Sequence, residues 1–126
     1  MRLRLDITKL DHKLSVAGQI SIDDIAEIAT AGYRSIICNR PDYEGGENQP
    51  GSEALEAAAK LLGITFVYLS IRIGSIPTER AEAFQKLMVE LPKPVLAFCG
   101  SGMRATALYG MTQQNVQDDT GCRHLS

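Results

Sequence analysis

The chain has no tryptophan, only two histidines and three cysteines, and its aromatic residues are four tyrosines and three phenylalanines. His12 and His124 lie far apart in polar settings, too few and too scattered for a zinc centre, so no metal is expected. Cys38, Cys99 and Cys122 form no CxxC pair, which argues against both a disulfide framework and a zinc site. No apolar run is long enough to cross a bilayer, and Met1-Arg2-Leu3-Arg4-Leu5-Asp6 lacks the apolar stretch of a secretory leader. A reduced, cytoplasmic protein is the expectation. Lys plus Arg number 13 against 15 Asp plus Glu, so neither nucleic acid nor an anionic membrane is an expected partner. There is no internal repeat, and nothing implies a cofactor.

What remains is 126 residues, 44% hydrophobic and 22% charged, room for one globular domain. Apolar runs alternate with helical patterns along it. Leu14-Ser15-Val16-Ala17 is strand-like. Ser21 with Asp24 then reads as a capping box with Asp in place of Glu, opening a helix that carries Ile22, Ile25, Ile28 and Ala29 and stops at Gly32. Arg34 to Cys38 reads as a buried strand and residues 39–51, with two prolines and three glycines, as a loop. Ser52 to Leu62 is helical, with Leu55, Ala58, Ala59 and Leu62 on one face. Ile64 to Leu69 is a strand, and Thr78 caps a helix running to about Glu90. Val95-Leu96-Ala97-Phe98 is the most apolar strand, followed by a glycine-rich turn and a helix from about Arg104. Strands that are apolar throughout predict an α/β fold: a mainly parallel sheet with helices on both faces. Leu3, Leu5 and Ile7 alternate with polar residues and read as an edge strand. Residues 1–111 are thus one domain, and 112–126 are a polar tail expected to be poorly ordered.

Ligands of open α/β sheets bind outside the carboxyl ends of the strands. Phe98-Cys99-Gly100-Ser101-Gly102-Met103-Arg104 leaves such an end. Gly100 and Gly102 let the backbone curl so that successive N–H groups point inward, and the helix start adds its positive end. A cysteine there ionises easily. Arg104 is placed to clamp an oxyanion. Cys99 and Arg104 are therefore the candidate catalytic pair, with Gly100, Ser101, Gly102 and Met103 as the anion-binding loop. A small anionic substrate follows.

Four motifs in register resemble one family: Ser15-Val16-Ala17-Gly18-Gln19-Ile20, Ala31-Gly32-Tyr33-Arg34-Ser35-Ile36-Ile37-Cys38-Asn39-Arg40-Pro41-Asp42, Gln49-Pro50, and Pro94 to Arg104. Together they look like the beta-lactamase-hydrolase-like, phosphatase-like family of small bacterial proteins, over about residues 5–110. The resemblance implies a fold similar to dual-specificity phosphatases. It also implies a rhodanese-like sulfurtransferase role, with a persulfide-oxidising enzyme as partner. The tail from Gln113 to Ser126 does not resemble the family's closing helix.

Thiolate, anion nest and arginine serve phosphate hydrolysis and sulfur transfer alike. Four departures from the phosphatase pattern favour sulfur transfer. Four residues separate Cys99 from Arg104, where tyrosine-phosphatase-like enzymes have five and rhodaneses four. Phe98 stands where phosphatases place His, and Ala105 where they place Ser or Thr. Residues 70–77 hold no carboxylate to protonate a leaving group. The expected reaction is therefore transfer of sulfane sulfur from thiosulfate or a persulfide through a Cys99-persulfide. A phosphatase acting on phosphate esters, with Asp42 or Glu44 as substitute acid, is the alternative, and a non-catalytic anion-binding module is the third. Arg40 reads as an anion contact or a partner of Asp42, and Arg72 as a rim charge or solvated surface. Cys38 reads as core or as a sulfur-accepting thiol, and Cys122 as incidental.

Overall fold

The computed structural model describes residues 6–74 and 76–111, so the tail with Cys122 and His124, and Leu3 and Leu5, lie outside the described residues. Five strands and three helices are β1 (Ile7–Lys9), β2 (Leu14–Ala17), α1 (Ile22–Thr30), β3 (Ser35–Cys38), α2 (Ser52–Leu61), β4 (Thr65–Tyr68), α3 (Thr78–Glu90) and β5 (Val95–Phe98). Residues 103–111 form a further helix, α4.

The sheet order is β1-β2-β5-β3-β4. β2, β5, β3 and β4 run parallel, and β1 pairs antiparallel with β2, with Ile7 opposite Ala17. The edge strand β1 begins at Ile7, the last residue of the expected Leu3–Ile7 stretch, whose earlier part lies outside the described residues. β5 is central because its four residues are apolar and are buried on both faces, as are all four positions of β2 and β3. Successive side chains point to opposite faces. Ile36, Leu96 and Phe98 accordingly pack with Ile25, Ile28, Leu55 and Ala59 under α1 and α2. Ile37, Val95 and Ala97 pack on the other face with Ala81 and Phe84 of α3 and with Ala105 and Leu108 of α4.

Local sequence explains the helix ends. Ser21 Oγ accepts from Asp24 N–H at 3.3 Å and Ser21 N–H donates to Asp24 Oδ2 at 2.9 Å, which completes the capping box. Gly32 follows the cap residue Ala31 at φ 100, a conformation that favours glycine. Three local expectations change. β4 is the sheet edge, so Thr65 and Tyr68 are exposed where a fully buried strand was expected. Leu62 lies beyond α2 at 50% exposure, and Pro77, not Thr78, is the α3 cap residue.

Removing the Ser21 hydroxyl (Ser21→Ala) should lower unfolding stability by about 1 kcal/mol, read from the urea midpoint, because one N–H of the first α1 turn loses its acceptor. An unchanged midpoint would contradict this role.

Candidate active site

Cys99 directly follows the central strand β5 and is fully buried. Neighbouring strands fix its backbone: Cys99 N–H donates to Ala17 O at 3.2 Å and Asn39 N–H donates to Phe98 O at 2.8 Å. The next residues run hard against the end of β2. A Cβ on Gly102, which sits at φ +88, would lie 3.3 Å from the Ala17 carbonyl, and one on Gly18 would lie 3.1 Å from Gly100 O. Only glycine combines that conformation with so close an approach. The curl aims Gly102 N–H at Cys99 Sγ, 3.0 Å away. Burial pushes the Cys99 thiol up, but the backbone N–H groups of Ala105, Ser101, Arg104 and Gly102 outweigh it, and the thiol ends below its ordinary value. Met103 does not join them as expected: its N–H faces Ser101 Oγ at 3.4 Å, and the residue is 75% exposed.

Cys38 is a control built into the same sheet. It ends the adjacent strand, its Sγ donates to Arg40 O at 3.4 Å, and burial pushes its thiol up to about 12. That chemistry fits a core thiol rather than a sulfur acceptor.

Arg104, on the first turn of α4, reaches back over the loop. Its Nη1 donates to Ile71 O at 2.8 Å, and its two terminal nitrogens hold both oxygens of Glu44 at 2.8 and 2.7 Å. Arg40 Nε meets the same carboxylate at 3.1 Å, while Arg40 Nη1 donates to Gln19 Oε1 at 3.1 Å. Arg104 beside it holds the Glu44 carboxyl below the usual carboxylate range despite partial burial. Arg40 therefore pairs with Glu44 and not with Asp42. Asp42 faces away: Oδ1 accepts Ser52 N–H at 2.9 Å and Oδ2 accepts Ser52 Oγ–H at 2.8 Å, so it serves the start of α2. It reaches neither Cys99 nor Arg104 as an acid would need to. Arg72 is exposed and lines a shallow depression with Arg104 and Met103. Sequence reasoning missed Gln19 and Asn39. Asn39 is fully buried, and its Nδ2 donates to Leu69 O at 2.9 Å, tying together the ends of β3 and β4. A polar residue directly after a fully buried strand was the available signal. Among the described residues no cluster of His, Cys, Asp or Glu could hold a metal ion, and no helix is long and apolar enough to cross a membrane.

The family model of the beta-lactamase hydrolase-like protein, phosphatase-like domain, matches residues 6–116. The chain belongs to this family. Within the beta-lactamase hydrolase-like, phosphatase-like family, it is 36% identical over 109 residues to the beta-lactamase hydrolase-like protein of Xylella fastidiosa, covering 86% of this chain and 25% of that protein. A similar protein from Agrobacterium fabrum is 32% identical, with 92% of this chain and 28% of that protein covered. The chain thus spans about a quarter of the length of the curated relatives it matches. The crystal structure of a candidate phosphatase from Neisseria meningitidis superposes with a TM-score of 0.79 at 34% identity, over 85% of this chain and 75% of that one. The catalytic domain of a PP-IP phosphatase from S. cerevisiae shares the fold, with a TM-score of 0.67 at 17% identity over 86% and 64% of the two chains. The α/β fold expected from the sequence is that of the cysteine-phosphatase class. Sulfur transfer finds no support among these relatives.

Two measurements follow from this geometry. The pH dependence of iodoacetamide alkylation should place the Cys99 midpoint below the ordinary thiol value of ~8.5, with Cys38 unreactive at neutral pH. Equal titration of both thiols would contradict the N–H nest. Asp42→Ala should cost about 1 kcal/mol of stability through α2 while leaving the Cys99 alkylation midpoint in place. A shifted midpoint would put Asp42 back in the site.

Proposed function

We propose that the chain is a cysteine-dependent hydrolase of small phosphate esters, with Cys99 as nucleophile and Arg104 as the oxyanion partner. The observation that carries this reading is the convergence of N–H groups on Cys99 Sγ beside a guanidinium, and membership of a phosphatase-like family supports it. The Cys99 thiolate attacks phosphorus, and the bond to the leaving oxygen breaks as that oxygen departs with the electron pair. Water then attacks the phosphorus of the thiophosphate. The S–P bond breaks, releasing inorganic phosphate and regenerating the thiolate. Arg104 and the loop N–H groups hold the charge on the non-bridging oxygens through both steps.

Among the described residues, no carboxyl of the site is placed to give the leaving group a proton. Residues 70–77 contain no carboxylate, Asp42 is committed to Ser52, and Glu44 is kept ionised by Arg104. Substrates whose leaving group is stable as an anion, such as aryl phosphates or phosphate anhydrides, fit best, since general acid catalysis is worth ~10²–10⁴-fold where it is needed. The same absence, with the four-residue spacing from Cys99 to Arg104, favours one second reading, sulfur transfer through a Cys99-persulfide. A persulfide-oxidising enzyme is the partner class that reading implies.

The deciving assay compares aryl phosphates of rising leaving-group pKa with thiosulfate on one sample. The hydrolase reading expects kcat/KM to fall steeply along the series and Cys99→Ser to lose about 10³-fold or more. A Cys99-persulfide in the intact mass, with no ester hydrolysis, would overturn it in favour of sulfur transfer.

A further inference from the structure

The Glu44 carboxylate lies over the loop that carries Cys99. A Cβ on Gly100 would lie 3.1 Å from Arg104 Nη2 and 3.4 Å from Arg40 Nε, so both guanidiniums press on the residue next to the nucleophile. Both nitrogens then turn to one carboxylate, Arg104 through two parallel bonds and Arg40 through Nε. The side chain of Glu44 is 20% exposed, against 13% for Arg104 and 19% for Arg40. Fork-on-fork geometry is how a guanidinium receives any planar or tetrahedral oxyanion. One carboxylate here occupies hydrogen-bonding positions of two guanidiniums, Arg104 also lying beside Cys99, and its departure would free both for a doubly charged oxyanion.

The segment that carries Glu44 combines a left-handed residue with glycines in a turn held by bonds from Glu44 N–H to Pro41 O and from Gly45 N–H to Gln49 Oε1. Tyr43, immediately before Glu44, is a non-glycine residue at φ 66 and is 78% exposed, and Gly45 and Gly46 follow, the latter at φ 92. A left-handed tyrosine on the surface is strained, and the glycines behind it permit other backbone conformations. The cationic side is fixed. Gln19 holds Arg40, the Ile71 carbonyl holds Arg104, and Gly45 leaves Arg40 Nη2 room only because it lacks a Cβ, which would lie 2.6 Å away.

We propose that Glu44 is an internal occupant of the anion site, expelled when a doubly charged oxyanion binds to Arg104 and Arg40 together. Arg40 is then a specificity residue that favours dianions over monoanions. This deepens the proposed function and rests on its anion site, but not on which bond Cys99 breaks.

Inorganic sulfate is the probe, because it stays a dianion across the working pH, with perchlorate as the tetrahedral monoanion. Calorimetric titration of the wild type, Glu44→Gln, Glu44→Ala and Arg40→Gln reads binding without turnover, with a thermal melt confirming that each variant is folded. Both Glu44 variants should bind sulfate about tenfold tighter than the wild type or better. Arg40→Gln should lose the preference for sulfate over perchlorate. Equal or weaker sulfate binding in both Glu44 variants would overturn the exchange while leaving the anion site standing. Absence of sulfate binding in every protein would overturn the anion site and the exchange together. Sulfate binding without ester hydrolysis would leave the exchange supported and remove only the hydrolase reading.

Discussion

Backbone N–H groups converging on one buried sulfur hold its thiol below the ordinary value, against the pull of burial. Cys38 ends β3 and Cys99 directly follows the adjacent parallel strand β5, and both are buried. Burial is the main force that pushes the Cys38 thiol up to about 12. At Cys99 the same penalty is reversed by the turn that follows. The difference between the two thiols is thus a few residues of backbone conformation, set by Gly102 and by its packing on Ala17. The rest of the fold can be understood as holding that turn still. β2 supplies the surface it presses on, β3 the carbonyl ladder beside it, and α4 the helix start that closes it.

The chain is close to neutral overall, so attraction for an anion has to be local. In the proposed site two arginines from distant parts of the sequence supply it, brought together because β3 and β5 are neighbours and their following loops leave the same end of the sheet. Glu44 offsets that charge within the structure. The guanidiniums themselves are anchored elsewhere, Arg40 by Gln19 and Arg104 by the Ile71 carbonyl.

Much of this was readable in the order of residues. The apolar runs named the central strands, the Ser21–Asp24 spacing named its helix cap, and the glycine pattern located the tight turn after Cys99. These are local signals, and local geometry decided them. The choice between Asp42 and Glu44 was not local. Two carboxylates two residues apart face different ways because the backbone turns over at Tyr43 and because Ser52, ten residues further on, is there to bind Asp42. The bond between Gln19 and Arg40 likewise depends on the sheet bringing the ends of β2 and β3 to one side. The edge position of β4 left Tyr68 exposed for the same reason: strand order is a tertiary fact. As for chemistry, a short loop and a missing acid are compatible with two reactions, and family membership, not periodicity, weights them toward phosphate.

The central claim is that the N–H nest makes Cys99 the atom that takes the phosphoryl group. Phosphorus NMR of the enzyme mixed with an aryl phosphate and acid-quenched during turnover tests it most directly. The account predicts a thiophosphate resonance on the protein that is absent in Cys99→Ser. Turnover of the ester with no phosphorus attached to sulfur at any quench time would contradict it.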